Sequence, residues 1–183
     1  AAGADPEDRI LIALPDGPDY VGALFGTLKV GAVVVMVNPG LPSADIAALL
    51  DYTRARLVVT HAECATPFHE AARGSRVTRG VIEVGSPEFA RNLSAASAGL
   101  ETFPSHPDDP AIWLFCAGAT GRPKAVIQTH RSFAFTTEKY GLGILGYSDR
   151  EITISVPKLY FGYATGSNLF FTFAAGGASV LFP

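Results

Sequence analysis

Short apolar runs alternate with helix-patterned segments along the first half of this chain. Arg9-Ile10-Leu11-Ile12-Ala13-Leu14, Ala32 to Val37, Leu57-Val58-Val59-Thr60 and Val81-Ile82-Glu83-Val84 read as strands. They are apolar on largely consecutive residues, the pattern of strands buried on both faces. Between the first two, Pro18 to Gly31 sets Tyr20, Val21, Leu24, Phe25 and Leu28 at helical spacing, with Pro18 near the first turn. Asn38-Pro39-Gly40 marks a turn, and Ser43 is expected to cap a second helix over Ala44–Tyr52. Further helices are expected near Ala65–Ala72 and over Pro87–Ala98. Strand–helix alternation of this kind demands crossover connections, so the expected fold class is α/β, with parallel-rich sheets and crossover helices.

The chain turns polar and proline-containing from Gly99 to Asp109. We read 1–98 as a first α/β unit, 99–109 as a linker and 110–183 as a second α/β unit. The second unit opens on Ile112 to His130, IWLFCAGATGRPKAVIQTH. An apolar run ends in a loop with Gly118, Thr120, Gly121, Arg122 and Lys124, and a second apolar run follows. Strand, glycine-bearing loop, lysine, strand brings backbone N–H groups and an ammonium close to phosphate oxygens. The loop is not a Walker A motif, which would need Gly at 123 and Ser or Thr at 125, where Pro123 and Ala125 stand. Beyond it Thr129 is expected to cap a long helix to about Leu145, Glu151–Val156 to form a strand, Thr165–Ala175 a helix and Ala178–Phe182 a closing strand.

The order Phe115-Cys116-Ala117-Gly118-Ala119-Thr120-Gly121-Arg122-Pro123-Lys124-Ala125, then Val126 to Gln128 and Thr129-His130, resembles the phosphate loop of the adenylate-forming enzymes. That superfamily holds acyl-CoA synthetases, aryl-CoA ligases and adenylation domains. Its loop runs aromatic-Ser-Ser-Gly-Ser-Thr-Gly-Arg-Pro-Lys-Gly and continues to Thr-His. Cys116, Ala117 and Ala119 stand where serine is usual, and Ala125 replaces the last glycine. The resemblance implies that Lys124 and Thr120 are catalytic, and that Cys116, Ala117, Gly118, Ala119, Thr120, Gly121 and Lys124 bind nucleotide phosphates. Each lost hydroxyl removes a bond worth about 0.5–1.5 kcal/mol.

A second segment, Val156-Pro157-Lys158-Leu159-Tyr160-Phe161-Gly162-Tyr163-Ala164-Thr165-Gly166, is similar to the acyl-pocket loop of the benzoate-CoA ligase branch, Lys-Leu-Phe-Phe-Ala-Tyr-Gly. Carried over by position, Phe161, Gly162 and Tyr163 become substrate-binding candidates. Aromatic walls suit a flat aryl carboxylate. Glycine in place of the branch's alanine at Gly162 is expected to leave room for a ring substituent. Asp5 to Arg9, Lys29 to Val33, Val37-Asn38-Pro39 and Ser43 to Val59 also look like that branch.

The resemblance therefore implies a partial N-terminal region of an adenylate-forming enzyme. The whole would be an ATP-dependent aryl-CoA ligase with ATP, Mg2+ and coenzyme A, and the isolated piece would be inactive. Two alternatives stay open: an adenylation domain that loads an aryl acid onto a carrier protein, and a non-catalytic homologue with a degenerate phosphate loop. The polar start and the stop after an apolar strand read as cuts through a longer protein.

Other patterns are weaker. Gly141-Leu142-Gly143-Ile144-Leu145-Gly146 matches G-x-G-x-x-G but ends a helix instead of opening one, so it reads as a helix terminus. His61, Glu63, Cys64 and His69 lack metal-ligand spacing, no G-x-S-x-G elbow occurs, and no metal site is expected. The net charge of −3, with scattered Lys and Arg, gives no basic patch for nucleic acid. Cys64 and Cys116 make no disulfide framework, which suits a reducing cytoplasm. Leu159 to Pro183 is uncharged, yet glycines break it below the ~20 residues of a membrane span. It reads as a buried loop, helix and strand. An uncharged end joined to a sheet that continues elsewhere is expected to leave an apolar face and an open edge, and hence self-association.

Overall fold

The computed structural model describes residues 3–116 and 124–182. A six-stranded sheet forms its centre. The strands are β1 (Arg9–Ala13), β2 (Val33–Met36), β3 (Leu57–His61), β4 (Gly80–Val84), β5 (Pro110–Cys116) and β6 (Lys124–Thr129). They lie in the order β4-β3-β1-β2-β5-β6, and all adjacent pairs are parallel except β5–β6, which is antiparallel. The α/β expectation thus matches the structure. Residues 99–109 form no strand or helix, and this one sheet takes strands from both sides of them.

Burial on both faces explains the consecutive apolar runs. Ile10, Ile12, Leu14, Val34, Met36 and Ile112 face one layer with α1 (Pro18–Lys29), whose Tyr20 and Leu24 are fully buried. Leu11, Ala13, Val35 and Val58 face the other with α2 (Ser43–Thr53) and α3 (Ala65–Gly74), which contribute Ile46, Leu50 and Phe68. Fully burying each large side chain stabilises the fold by about 1.5–3 kcal/mol. On the first face α4 (Pro87–Ala95) adds Phe89 and stops short of Ala98.

The start of α2 differs from expectation. Pro42 holds the cap position in extended backbone, and Ser43 is the first helical residue. Its hydroxyl donates to the Glu70 carboxylate at 3.4 Å instead of capping. The Pro42 carbonyl accepts the Asp45 N–H at 3.0 Å and the Ile46 N–H at 3.1 Å, so the first turn closes without a capping side chain.

After β6 the Thr129 hydroxyl accepts the Ser132 N–H and caps α5 (His130–Thr136). The helix continues as a π-helix over Thr137–Leu142 and ends before Leu145. The segment expected as a helix over Thr165–Ala175 begins earlier, with one turn α6 (Gly162–Ala164). It then runs as a π-helix over Thr165–Phe171 and closes in α7 (Thr172–Ala175). The two π-helices pack together at Gly141, where a Cβ would stand 2.7 Å from Phe171 Cγ. β7 (Ile152–Ile154) and β8 (Ala178–Val180) form a separate parallel pair. The end of the chain is less buried than its composition suggested. Leu159, Ala164, Leu169 and Phe171 are core, but Ile152, Ile154, Val156, Val180 and Phe182 stand exposed.

Candidate functional site

The β5–β6 hairpin sets the frame. Its rows pair Ile112 with Gln128, Leu114 with Val126, and Cys116 with Lys124. Residues directly opposite share a face, and so do residues two apart along a strand. Ile112, Leu114 and Cys116 therefore share a face with Gln128, Val126 and Lys124. Trp113 and Phe115 face the other layer, where Tyr52 meets both rings edge-on or tilted and its hydroxyl accepts the Ala125 N–H at 3.5 Å. Cys116 and Lys124 are both exposed, and the Cys116 thiol donates to the Lys124 carbonyl at 3.6 Å. Ala117, Gly118, Ala119, Thr120 and Gly121 lie outside the described residues.

On the Leu114 face sits a cavity of about 400 Å³. That is within the ~300–1,000 Å³ of small-molecule sites. Leu114 and Gln128 come from the hairpin, Phe133 and Tyr140 from α5 and its π-continuation, and Gly162, Tyr163 and Phe171 from the later helical segment. Tyr147 closes the wall. Tyr163 is 76% exposed, so it is a rim residue and not a core one. Phe161 is absent from this wall; its ring rests on Tyr160 at 4.6 Å.

Gly162 allows a close approach to the hairpin. A Cβ there would meet Leu114 Cδ1 at 2.7 Å. The volume expected to admit a ring substituent is already taken by Leu114.

The hydroxyls of the wall divide into used and free. Ser132 donates to the Thr129 carbonyl at 2.8 Å, Thr136 to the Ser132 carbonyl at 2.8 Å and Ser167 to the Tyr163 carbonyl at 3.0 Å. Among the described residues, the Gln128 amide and the Tyr140, Tyr147 and Tyr163 hydroxyls make no hydrogen bond. The Tyr147 phenol is held above its ordinary pKa, first by burial and then by neighbouring Tyr163, Glu151 and Tyr140. It is therefore a neutral O–H donor at physiological pH. Gln128, Leu114 and Tyr147 were not singled out from the sequence. For Gln128 the signal was present, because it stands four residues beyond Lys124 on a strand and so shares its face.

Away from the cavity, His69 Nε2 lies 2.6 Å from Glu83 Oε1 and His61 Nδ1 accepts the Glu63 N–H at 3.4 Å. Among the described residues no group of three or more His, Cys, Asp or Glu converges as metal ligands. No helix among them is long and apolar enough to cross a membrane.

The sequence matches the family described as AMP-binding enzyme over residues 1–183. It is 32% identical to a benzoate–CoA ligase of Thauera aromatica over 183 residues, which is 98% of this chain and 34% of that protein. It is also 32% identical to a salicyl-AMP ligase/salicyl-S-ArCP synthetase of Mycobacterium tuberculosis over 142 residues, 73% of this chain and 25% of that one. In structure it resembles the anthranilate CoA ligase AuaEII in complex with anthranoyl-AMP, with a TM-score of 0.90 and 28% identity, over 99% of this chain and 36% of that one. The chain thus spans about a third or less of the length of these proteins.

Proposed function

The chain belongs to the AMP-binding enzyme family, and from that premise we propose that it is the N-terminal part of a ligase joining a benzoate-like acid to a thiol through an acyl-adenylate. One observation carries the reading. The aromatic-walled cavity is floored by the same strand pair whose ends, Cys116 and Lys124, bracket the phosphate-loop sequence. Acid and nucleotide phosphate would thus meet on one face of one hairpin.

The chemistry has two steps. A carboxylate oxygen of the acid attacks the α-phosphorus of ATP, the bond from that phosphorus to its bridging oxygen breaks, and pyrophosphate leaves. The sulfur of a thiolate then attacks the acyl carbon, the carbon–oxygen bond to the phosphate breaks, and AMP leaves. The chain's part is positioning and charge stabilisation. Lys124, the Thr120 hydroxyl and the loop amides from Cys116 to Gly121 would hold the β- and γ-phosphates. Gly162 and Tyr163 would hold the ring, with Gln128 and the Tyr147 O–H free to bond a ring substituent. No described residue is assigned to Mg2+, because no ligand set converges among them. The thiol would be that of coenzyme A. A second reading, a carrier-protein thiol, is favoured by the relative named as a salicyl-S-ArCP synthetase.

The test is ATP–pyrophosphate exchange by the full-length protein with benzoate, 2-aminobenzoate and a straight-chain acid, followed by transfer to coenzyme A or to a carrier protein. Aryl acids should drive exchange, and Tyr163→Ala should change their relative kcat/KM. If none of the three acids drives exchange, the non-catalytic reading suggested by Cys116, Ala117 and Ala119 takes its place. Equal losses for all three acids in Tyr163→Ala would remove Tyr163 from the ring site.

A further inference from the structure

Gly162 and Tyr163 hang from a buried anchor that begins at Leu159. The Leu159 N–H donates to Asp16 Oδ1 at 2.9 Å. The Leu159 carbonyl accepts the Tyr20 hydroxyl at 3.1 Å and also the Thr165 hydroxyl. Asp16 follows β1, and Tyr20 lies at the start of α1, so the contacts join parts of the chain 143 and 139 residues apart. All four residues are buried, with Asp16 the most accessible at 8%.

There is little slack between this anchor and the cavity wall. The Phe161 N–H donates to the Lys158 carbonyl at 2.9 Å, and the Thr165 N–H to the Phe161 carbonyl at 3.1 Å. Residues 158–165 are therefore a closed turn, and a shift at Leu159 passes directly to Gly162, where an added Cβ would meet Leu114 at 2.7 Å.

Holding a loop with a buried carboxylate is costly. Burial raises the Asp16 pKa, and the Leu159 N–H and the Lys158 charge only oppose that rise. A neutral group would make the same hydrogen bond without the desolvation penalty. What an ionised acceptor adds is a stronger bond with a firmer geometry.

We propose that Asp16 is a positioning residue for the acid half of the site: through Leu159 it fixes where Gly162 and Tyr163 stand, and so sets the affinity for the aryl acid. This rests on the reading of the cavity given above. Tyr20 acts with it by holding the carbonyl of the same residue, so the peptide units on both sides of the Leu159 Cα are fixed.

The experiment measures KM for aryl acid and for ATP, together with kcat, in the full-length protein and in Asp16→Ala, Asp16→Asn and Tyr20→Phe. Asp16→Ala should raise the KM for the acid on the order of tenfold, as expected for losing a hydrogen bond to a charged group. The KM for ATP should stay within about twofold, because the phosphate loop hangs from β5 and β6. Asp16→Asn keeps an acceptor and should return the acid KM to within about threefold of the parent. Tyr20→Phe leaves the Thr165 donor and should raise it about threefold. If Asp16→Ala does not fold, the other two variants carry the comparison, and an unchanged acid KM in Tyr20→Phe overturns the proposal. Equal rises in both KM values, or a fall in kcat alone, make the contact merely structural and overturn it as well. A parent without acid-dependent exchange instead overturns the reading of the cavity, and this inference with it.

Discussion

Replacing Gly162 by alanine probes the joint between the β5–β6 hairpin and the cavity wall. The new Cβ would lie 2.7 Å from Leu114 Cδ1 and 3.3 Å from Cδ2. Carbon atoms pack best at about 3.5–4.0 Å, so Leu114 must yield by about 1 Å. Its methyl groups are the free end of a half-buried side chain, so it can turn, at about 0.5–1.5 kcal/mol for leaving its rotamer well. Alanine recovers part of this, because glycine in a helical turn is disfavoured by up to about 1 kcal/mol. Gly162→Ala alone should therefore destabilise the chain by roughly 0–1 kcal/mol. Leu114→Ala alone should cost about 1–2 kcal/mol, below the ~2–5 kcal/mol of fully buried leucines because Leu114 is only half-buried. In the double variant the clash is gone, and Gly162→Ala should become neutral or stabilising. The coupling energy should be about 1 kcal/mol. The assay is urea denaturation of all four proteins at one concentration, so that any common association cancels. Additivity within about 0.3–0.5 kcal/mol would refute the contact, and with it the link between the β5–β6 hairpin and the cavity wall.

Lys124→Ala in the full-length protein should slow pyrophosphate exchange far more than it weakens acid binding; equal exchange rates in variant and parent would remove Lys124 from the phosphate site. Restoring Ala117→Ser and Ala119→Ser together should tighten ATP binding or speed adenylation by the worth of two hydrogen bonds, about 1–3 kcal/mol, and no change would mean that the loop does not meet phosphate. Asp16 makes stability depend on pH. Its folded pKa is raised by burial, so its stabilising contribution is full below the ordinary carboxylate value and is lost as pH rises through the raised one. Urea midpoints from about pH 3 to about pH 7 should show the parent losing ground to Asp16→Asn, and a constant difference would refute this. Exposed Ile152, Ile154 and Val180 on the β7–β8 pair should make the 183-residue chain associate, and Ile152→Lys with Ile154→Lys should reduce it; light scattering of a monodisperse parent monomer would refute the argument.

The strands of the main sheet were legible because burial on both faces forces apolar residues at successive positions, as at Val33 to Met36. Their order was not. Nothing local in Arg9–Ala13 says that β2 and β3 flank it, since pairing is settled by crossovers over tens of residues. Ser43 read as a cap because serine is a common one, yet the helix starts a residue earlier, on the Pro42 carbonyl. The π-helices escaped notice because over six or seven residues their wider turn leaves nearly the same apolar pattern as an α-helix. Of the cavity lining, Gly162 and Tyr163 were legible from a resemblance, while Lys124, read from its loop, stands one row beyond that lining. Leu114, Gln128 and Tyr147 come from separate elements that only the fold brings together. The Asp16–Leu159 contact spans most of the chain and has no sequence signature.

The hairpin rows constrain how the proposed reaction can be arranged. Leu114 and Gln128 belong to the two rows that floor the cavity, and Cys116–Lys124 is the next row toward the loop. Two residues of strand advance about 7 Å. In the proposed reading, an acid seated on Leu114 with its carboxylate toward the hairpin tip lies one row step from the level of Lys124. That interval must hold the phosphorus under attack, with the lysine beyond it on the leaving phosphates. Nucleophile, phosphorus and leaving group would then lie in line along the strand direction, as in-line displacement requires. The strand pair would impose that line before either substrate arrives, since Leu114 and Lys124 sit on one backbone ladder. A longer flexible acid gains no such alignment from the aromatic wall. In that reading the wall would contribute to selectivity through where it places the carboxylate, beyond how well it holds the ring.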